Sequence, residues 1–214
     1  MKNTLVPFLL VTLTATCVAQ QFPTGRPDNR PNAQGVSKTW SKISWSELRS
    51  QLKLGGFVIV FRHGATDWSK KDQLPIQDWN DRSKQRLLSD LGRQQSRDIG
   101  EVFRQLRIPV GTVLSSPYFR AREFAQIAFG KYQQTLSLLD GRREDFEKLF
   151  NQVPTKGTNT IFSAHQLPLV NLGYFKMNEL EEGSCGVFKP DGKGHVEHVA
   201  HMNVKDWKSL TILK

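Results

Sequence analysis

The stretch Phe57-Val58-Ile59-Val60-Phe61-Arg62-His63-Gly64 decides how the rest of this chain is read. It begins with five consecutive apolar residues, all β-branched or aromatic, a run too short for a helix and without the alternation of a half-exposed strand. Such a run predicts a strand buried on both faces, as in a parallel sheet covered by helices on either side. The run stops on a guanidinium and an imidazole. Gly64 then lets backbone come close to whatever those two groups bind.

Upstream, Trp45, Leu48 and Leu52 fall at helical spacing within Ser44–Leu54, and Gly55-Gly56 ends that helix. Downstream, Lys70 to Arg86 is polar and irregular, with Trp68 and Trp79 near its ends, and reads as a long loop. Ser89 caps a helix in which Ile99, Val102, Phe103 and Leu106 share one face until Pro109 closes it. Val110–Ser115 reads as a second buried strand. Ser116-Pro117 reads as a helix start with proline at the first helical position, the helix running to about Phe129. A short strand is expected at Thr135–Leu139, a helix at Arg142–Phe150, and a strand at Thr160–Ser163 leading into Ala164-His165. Gly186–Lys189 and His195–Met202, around Asp191-Gly192, carry a hairpin pattern.

Strands alternating with helices imply an α/β protein, a three-layer α/β/α sandwich with a mostly parallel central sheet. In such sheets ligands sit beyond the carboxyl ends of the strands. Three of those ends carry Arg62-His63, Ser115-Ser116 followed by Arg120, and His165. Arginine suits phosphate because its planar fork donates two parallel charged hydrogen bonds. A neutral imidazole can attack phosphorus and form a covalent intermediate that water later breaks. Arg120 lies one turn into a helix whose amino end itself favours an anion, and His165 can donate to a phosphoryl oxygen. This set stabilises a transferring phosphoryl group by position and charge, so the chemistry needs no cofactor and no metal. His195, His198 and His201 are spaced by three. On an alternating strand His195 and His201 face one way, while His198 faces the other or turns out of register, so they read as structural or surface residues.

At these residues the chain resembles the histidine phosphatase superfamily, whose fold is shared with phosphoglycerate mutases. The segments that carry the likeness are Phe61-Arg62-His63-Gly64-Ala65-Thr66, Leu88-Ser89-Asp90-Leu91-Gly92, Leu114-Ser115-Ser116-Pro117-Tyr118-Phe119-Arg120-Ala121-Arg122-Glu123 and Phe162-Ser163-Ala164-His165. The resemblance implies a phosphoglycerate mutase-like fold. It makes His63 the nucleophile of a phosphohistidine mechanism and Arg62, Arg120 and His165 the phosphate pocket. The second histidine departs from the family pattern, standing in Ala164-His165-Gln166. One branch carries an aspartate after this histidine as proton donor, a role Gln166 cannot fill. The other branch takes its acid from a glutamate elsewhere, for which Asp140, Glu144, Glu181 and Glu182 are the candidates. Glu182-Gly183 resembles the loop that closes over the pocket in this family, so Glu182 ranks first. Glu144, Asp145 and Glu147 also fit the solvated face of a helix.

The chain has 214 residues and a formal net charge of +10. Lys2, the apolar Leu5–Leu13 and the small residue Ala19 read as a signal peptide over 1–19. The leader is shorter than the roughly 20 apolar residues of a membrane span. Residues 20–38, rich in Pro, Gly, Asn, Gln and Arg, read as a flexible linker, and 39–214 as one phosphatase-like domain. Cleavage after Ala19 would leave Cys185 as the sole cysteine, a small buried residue by expectation. Contact with a membrane would require lipidation of Cys17, against which Thr14 and Thr16 argue. A basic surface favours anionic partners: a phosphorylated small molecule or an envelope glycolipid such as lipopolysaccharide. Lys and Arg are scattered and no aromatic stacking motif accompanies them, so nucleic acid is not an expected partner. The readings carried forward are an exported phosphomonoesterase, an envelope lipopolysaccharide phosphatase, and a phosphate-binding module of the same fold with little or no turnover.

Overall fold

The computed structural model describes residues 38–213. The signal peptide, Cys17 and all but the last residue of the linker lie outside the described residues. In chain order the elements are β1 (Trp40–Ser41), α1 (Trp45–Leu54), β2 (Val58–Arg62), α2 (Asp90–Gln105), β3 (Val110–Ser115), α3 (Phe119–Phe129), β4 (Gln133–Gln134), α4 (Arg143–Phe150), β5 (Asn159–Ala164), α5 (Leu167–Asn171), β6 (Cys185–Pro190), β7 (Val196–Met202) and α6 (Val204–Ser209).

One seven-stranded sheet runs β1-β7-β6-β2-β5-β3-β4. The half from β2 through β5 and β3 to β4 is parallel, while β6, β7 and β1 are joined antiparallel. Every residue of β2 is buried, because the strand has a neighbour on each edge and helices over each face. Ile59 and Phe61 pack with Leu48, Ile99, Phe124 and Trp207, so α1, α2, α3 and α6 form one outer layer. Val58 and Val60 pack with Phe146, Phe150 and Leu169, so α4 and α5 form the other. The apolar run therefore feeds two cores at once and fixes the three-layer sandwich.

Local chemistry sets the element ends. Ser44 Oγ accepts from Glu47 N and Ser89 Oγ from Gly92 N, each at 3.2 Å, so both hydroxyls cap their helices. Gly55 sits at φ 82°, and a β-carbon there would lie 2.5 Å from Thr158 N. The turn between α1 and β2 thus needs glycine on two counts.

The structure corrects several sequence expectations. α3 begins at Phe119 rather than at Pro117, because the Ser116 hydroxyl is engaged with His165 and not with the helix start. The strand expected over Thr135–Leu139 is instead β4 at Gln133–Gln134 followed by a 3₁₀ turn at Leu136–Leu138, begun by Thr135 Oγ1 accepting from Ser137 N. β3 is buried only at Val113 and Ser115, since β4 covers just its last two residues. β7 starts at Val196, leaving His195 exposed in the turn, where Asp191 Oδ1 accepts from the backbone of Lys193 and His195. Val187 pairs with Ala200 but Phe188 with His198, so Val199 is a bulge. That bulge brings His198 and His201 onto the same ring, Phe175. Among the described residues no group of three or more His, Cys, Asp or Glu is arranged to hold a metal. No described helix is long and apolar enough to cross a membrane.

Candidate active site

The parallel register brings three strand ends level. Arg62 of β2 pairs with Ala164 of β5, and Ser163 of β5 with Ser115 of β3. The chain leaves these ends as Arg62-His63, Ser115-Ser116 and Ala164-His165, and the first turn of α3 adds Arg120. Behind His63, a β-carbon on Gly64 would lie 2.6 Å from Gly92 O, so the start of α2 is drawn hard against the strand end. Ser89 N, at 2.9 Å, and Ser89 Oγ, at 3.1 Å, both donate to Ala65 O and hold it there.

His63 is 2% exposed. Its Nδ1 lies 2.9 Å from Gly64 O and its Nε2 lies 3.1 Å from Arg120 Nε. A carbonyl can only accept and a guanidinium can only donate, so the proton resides on Nδ1 and the lone pair on Nε2. Burial above all, then the charges of Arg120, His165 and Arg62, holds the imidazole well below the ordinary histidine range. The ring is a neutral base with its lone pair turned toward a cation.

His165 stands beside it, with ring centroids 5.3 Å apart, and its Nε2 lies 2.9 Å from Ser116 Oγ. The Tyr118 ring lies under Arg120 at 4.0 Å and against His165 at 4.9 Å. Arg62 donates to Leu180 O at 2.8 Å and faces Glu182 Oε1 at 3.6 Å. Burial pulls its guanidinium down, with Glu182 opposing. Glu182 is in turn held by Thr66, whose N and Oγ1 donate to its two oxygens at 3.1 and 2.9 Å. Its loop is tied down where Gly183 N donates to His63 O at 2.8 Å and to Arg62 O at 3.2 Å.

The structure thus places Arg62, His63, Arg120, His165 and Glu182 around one point. Of the other acid candidates, Asp140 and Glu144 are exposed, and Glu181 is half-buried, its charge the smallest of the influences on Arg62. Gln166 is turned to Asn178, accepting from its backbone N at 2.9 Å. Cys185 is a buried free thiol receiving the Trp207 indole N–H at 3.3 Å, and burial pushes its ionisation up.

Two residues of the Lys70–Arg86 loop also enter the site, and sequence reasoning missed both. The Asp72 side chain, 8% exposed, takes Arg120 Nη1 on both oxygens at 3.0 and 3.2 Å, and its Oδ1 accepts from Arg86 N at 2.8 Å. The Arg86 guanidinium stacks 3.8 Å over the Trp68 ring. Arg86 Nε and Trp68 Nε1 are both buried without a hydrogen-bond partner among the described residues. Burial first, then Arg120, brings Arg86 down to about 10, which leaves it charged at neutral pH. Arg62 and Arg120 are each paired with a carboxylate, whereas the Arg86 head group is seated on the indole. An irregular polar loop offers no periodic signal, so nothing in the sequence marked either residue.

Residues 58–160 match the model of the histidine phosphatase superfamily (branch 1). That span includes Arg62, His63 and Arg120 and stops short of His165 and Glu182. Among solved structures, the chain is similar to the protein histidine phosphatase SixA complexed with tungstate, at 16% identity over 70% of this chain and 98% of that one, with a TM-score of 0.49. It is also similar to the product of the open reading frame Rv3214 from Mycobacterium tuberculosis, at 17% identity, 67% and 95% coverage and a TM-score of 0.44. The putative phosphohistidine phosphatase SixA from Agrobacterium tumefaciens stands at 15% identity, 69% and 97% coverage and a TM-score of 0.46. No curated protein matches the chain significantly in sequence.

Proposed function

Because this chain belongs to the histidine phosphatase superfamily, we propose that it hydrolyses a phosphate monoester by passing the phosphoryl group first to His63 Nε2 and then to water. The observation that carries this reading is the fixed tautomer of His63, with Nδ1–H on Gly64 O and the Nε2 lone pair facing Arg120 Nε. A substrate phosphoryl group entering between them takes the Arg120 N–H bonds onto its own oxygens and frees the lone pair for attack. The N–P bond forms as the ester P–O bond breaks. Water then attacks the phosphorus, the N–P bond breaks, and neutral His63 returns.

Arg62, Arg120 and His165 hold the equatorial oxygens, where charge is spread in the transition state. Glu182, fixed by Thr66, keeps the Arg62 fork turned to the pocket. The leader-like residues 1–19 support a site of action outside the cytoplasm, periplasmic or secreted. The +10 charge supports an anionic substrate, a phosphorylated small molecule or an envelope glycolipid.

Hydrolysis of an aryl phosphate by wild type and His63→Ala, from acidic to neutral pH, tests the reading. Turnover is expected in the wild type and a loss of at least ~1,000-fold in the variant, in keeping with removal of a covalent nucleophile. Equal turnover in both would remove His63 from the chemistry. Saturable phosphate binding without turnover would instead mark a binding module.

A further inference from the structure

The reaction proposed above leaves one proton without a source, the one the departing alcohol oxygen takes up. Two carboxylates touch the pocket guanidinia. Glu182 receives two Thr66 donors besides Arg62, and its loop is bolted to the backbone of His63 and Arg62. This rigid mounting keeps Glu182 against the wall of the pocket.

Asp72 is placed differently. The hydrogen-bonded order is His63 Nε2, Arg120 Nε, Arg120 Nη1, Asp72 carboxylate. Asp72 therefore stands on the side of the guanidinium remote from the nucleophile. In-line attack sends the ester oxygen to that side, away from Nε2. Its flanking residues, Lys71 and Gln73, are exposed, so the carboxylate can follow a ligand without opening the core.

We propose that Asp72 is the proton donor to the leaving oxygen and the proton acceptor from the water that follows. The proposal rests on the phosphatase reading of the same site. In the free protein Asp72 holds Arg120 Nη1, the arm that an incoming phosphoryl oxygen needs. When the phosphoryl group takes that arm, two anions lie side by side, an arrangement that binds one proton between them. Phosphate monoesters have their second ionisation at about 6 and bring that proton in on the monoanion. It passes from the phosphoryl oxygen to Asp72. As Nε2 attacks and the P–O bond breaks, Asp72 gives it to the ester oxygen, and a neutral alcohol leaves. The carboxylate then takes a proton from water as the oxygen of that water bonds to phosphorus and the N–P bond breaks. Asp72 returns this proton to the departing phosphate and recloses on Arg120.

Leaving-group dependence tests the assignment, with the full chain as wild type, Asp72→Asn, Asp72→Glu and Glu182→Gln. The substrates are 4-nitrophenyl phosphate, whose phenolate departs without a proton, and glycerol phosphate, whose alkoxide does not. Asp72→Asn is expected to lose ~100-fold in kcat/KM, which reports only the steps up to release of the alcohol, on the alkyl ester and far less in kcat/KM on the aryl ester, while kcat falls on both through the slower attack of water. Asp72→Glu restores part of the alkyl activity, and Glu182→Gln falls alike on both esters. Equal losses of kcat/KM on the two esters in Asp72→Asn would make Asp72 a positioning residue for Arg120 and overturn the proposal. Equal gains would make it only a competitor for the phosphate site, with the same consequence. A wild type that turns over neither ester removes the phosphatase reading, and the role of Asp72 with it.

Discussion

The two ring nitrogens of His63 have opposite partners, and that contrast determines what the residue can do. The Gly64 carbonyl fixes the proton on Nδ1, and burial keeps the ring neutral well below the ordinary histidine range. In the proposed role, a ring that stays unprotonated in weak acid suits substrates whose own phosphate carries a proton there. Arg62 and His63 were legible in the sequence because they directly follow an apolar run that could only be a buried strand. Arg120 and His165 were legible because each follows another such end. Asp72 and Arg86 were not, since Asp72 reaches Arg120 across 48 residues of chain and Arg86 joins Asp72 only through its backbone N, both from a loop without a repeat. Arg86 nonetheless brings a further guanidinium to this site, stacked on the Trp68 indole. Arg86→Ala is expected to raise KM for phosphate esters about tenfold, the size of one lost charge-assisted hydrogen bond, with a smaller change in kcat. A KM unchanged by the substitution would reduce Arg86 to packing on Trp68.

Among the elements, those with a strong apolar period were read nearly to their ends: β2, α1, α2, α4 and the β6–β7 hairpin. The elements missed are short. α5 has five residues and α6 has six, too few for a face to repeat. α6 did leave a signal in Asn203 and Asp206, whose side chains cap each other's backbone. The bulge in β7 was hidden because alternation in sequence cannot show where a ladder slips. Its consequence is testable. The bulge sets His198 flat on Phe188, 4.5 Å between centroids, and against Trp40, Tyr174 and Phe175. Burial lowers its ionisation from 6.5 to about 4, with His201 and Lys42 adding to the shift. The folded protein therefore keeps this ring neutral while the unfolded chain takes up a proton below about 6.5. Stability is full above that pH and falls as the pH drops from 6.5 toward 4. Thermal unfolding should show a fall in Tm from pH 7 to pH 5 that is smaller in His198→Phe than in the wild type. An equal fall in the two would mean that this ring carries no part of the acid sensitivity.

At the scale of the whole molecule, the sandwich divides the work between its two halves. The parallel half gathers the strand ends that carry Arg62, His63, Ser116 and His165, while the antiparallel half closes the sheet and supplies, just before β6, the Glu182 loop. The two apolar cores on either side of β2 hold that strand end fixed, so His63 is set by the most buried part of the fold. The polar loop before α2 adds one carboxylate on Arg120 and one guanidinium stacked on Trp68. The three layers and the level of the strand ends could be read from apolar runs alone, whereas the loop's contribution needed the folded chain. During turnover His63 Nε2 is expected to carry the phosphoryl group. Acid-labile, base-stable label trapped from a ³²P-labelled monoester, mapped by peptide, tests it most directly. One phosphoryl group is expected on His63, bonded at Nε2, and none in His63→Ala. Turnover with no label on His63, or label equal in both proteins, would contradict it.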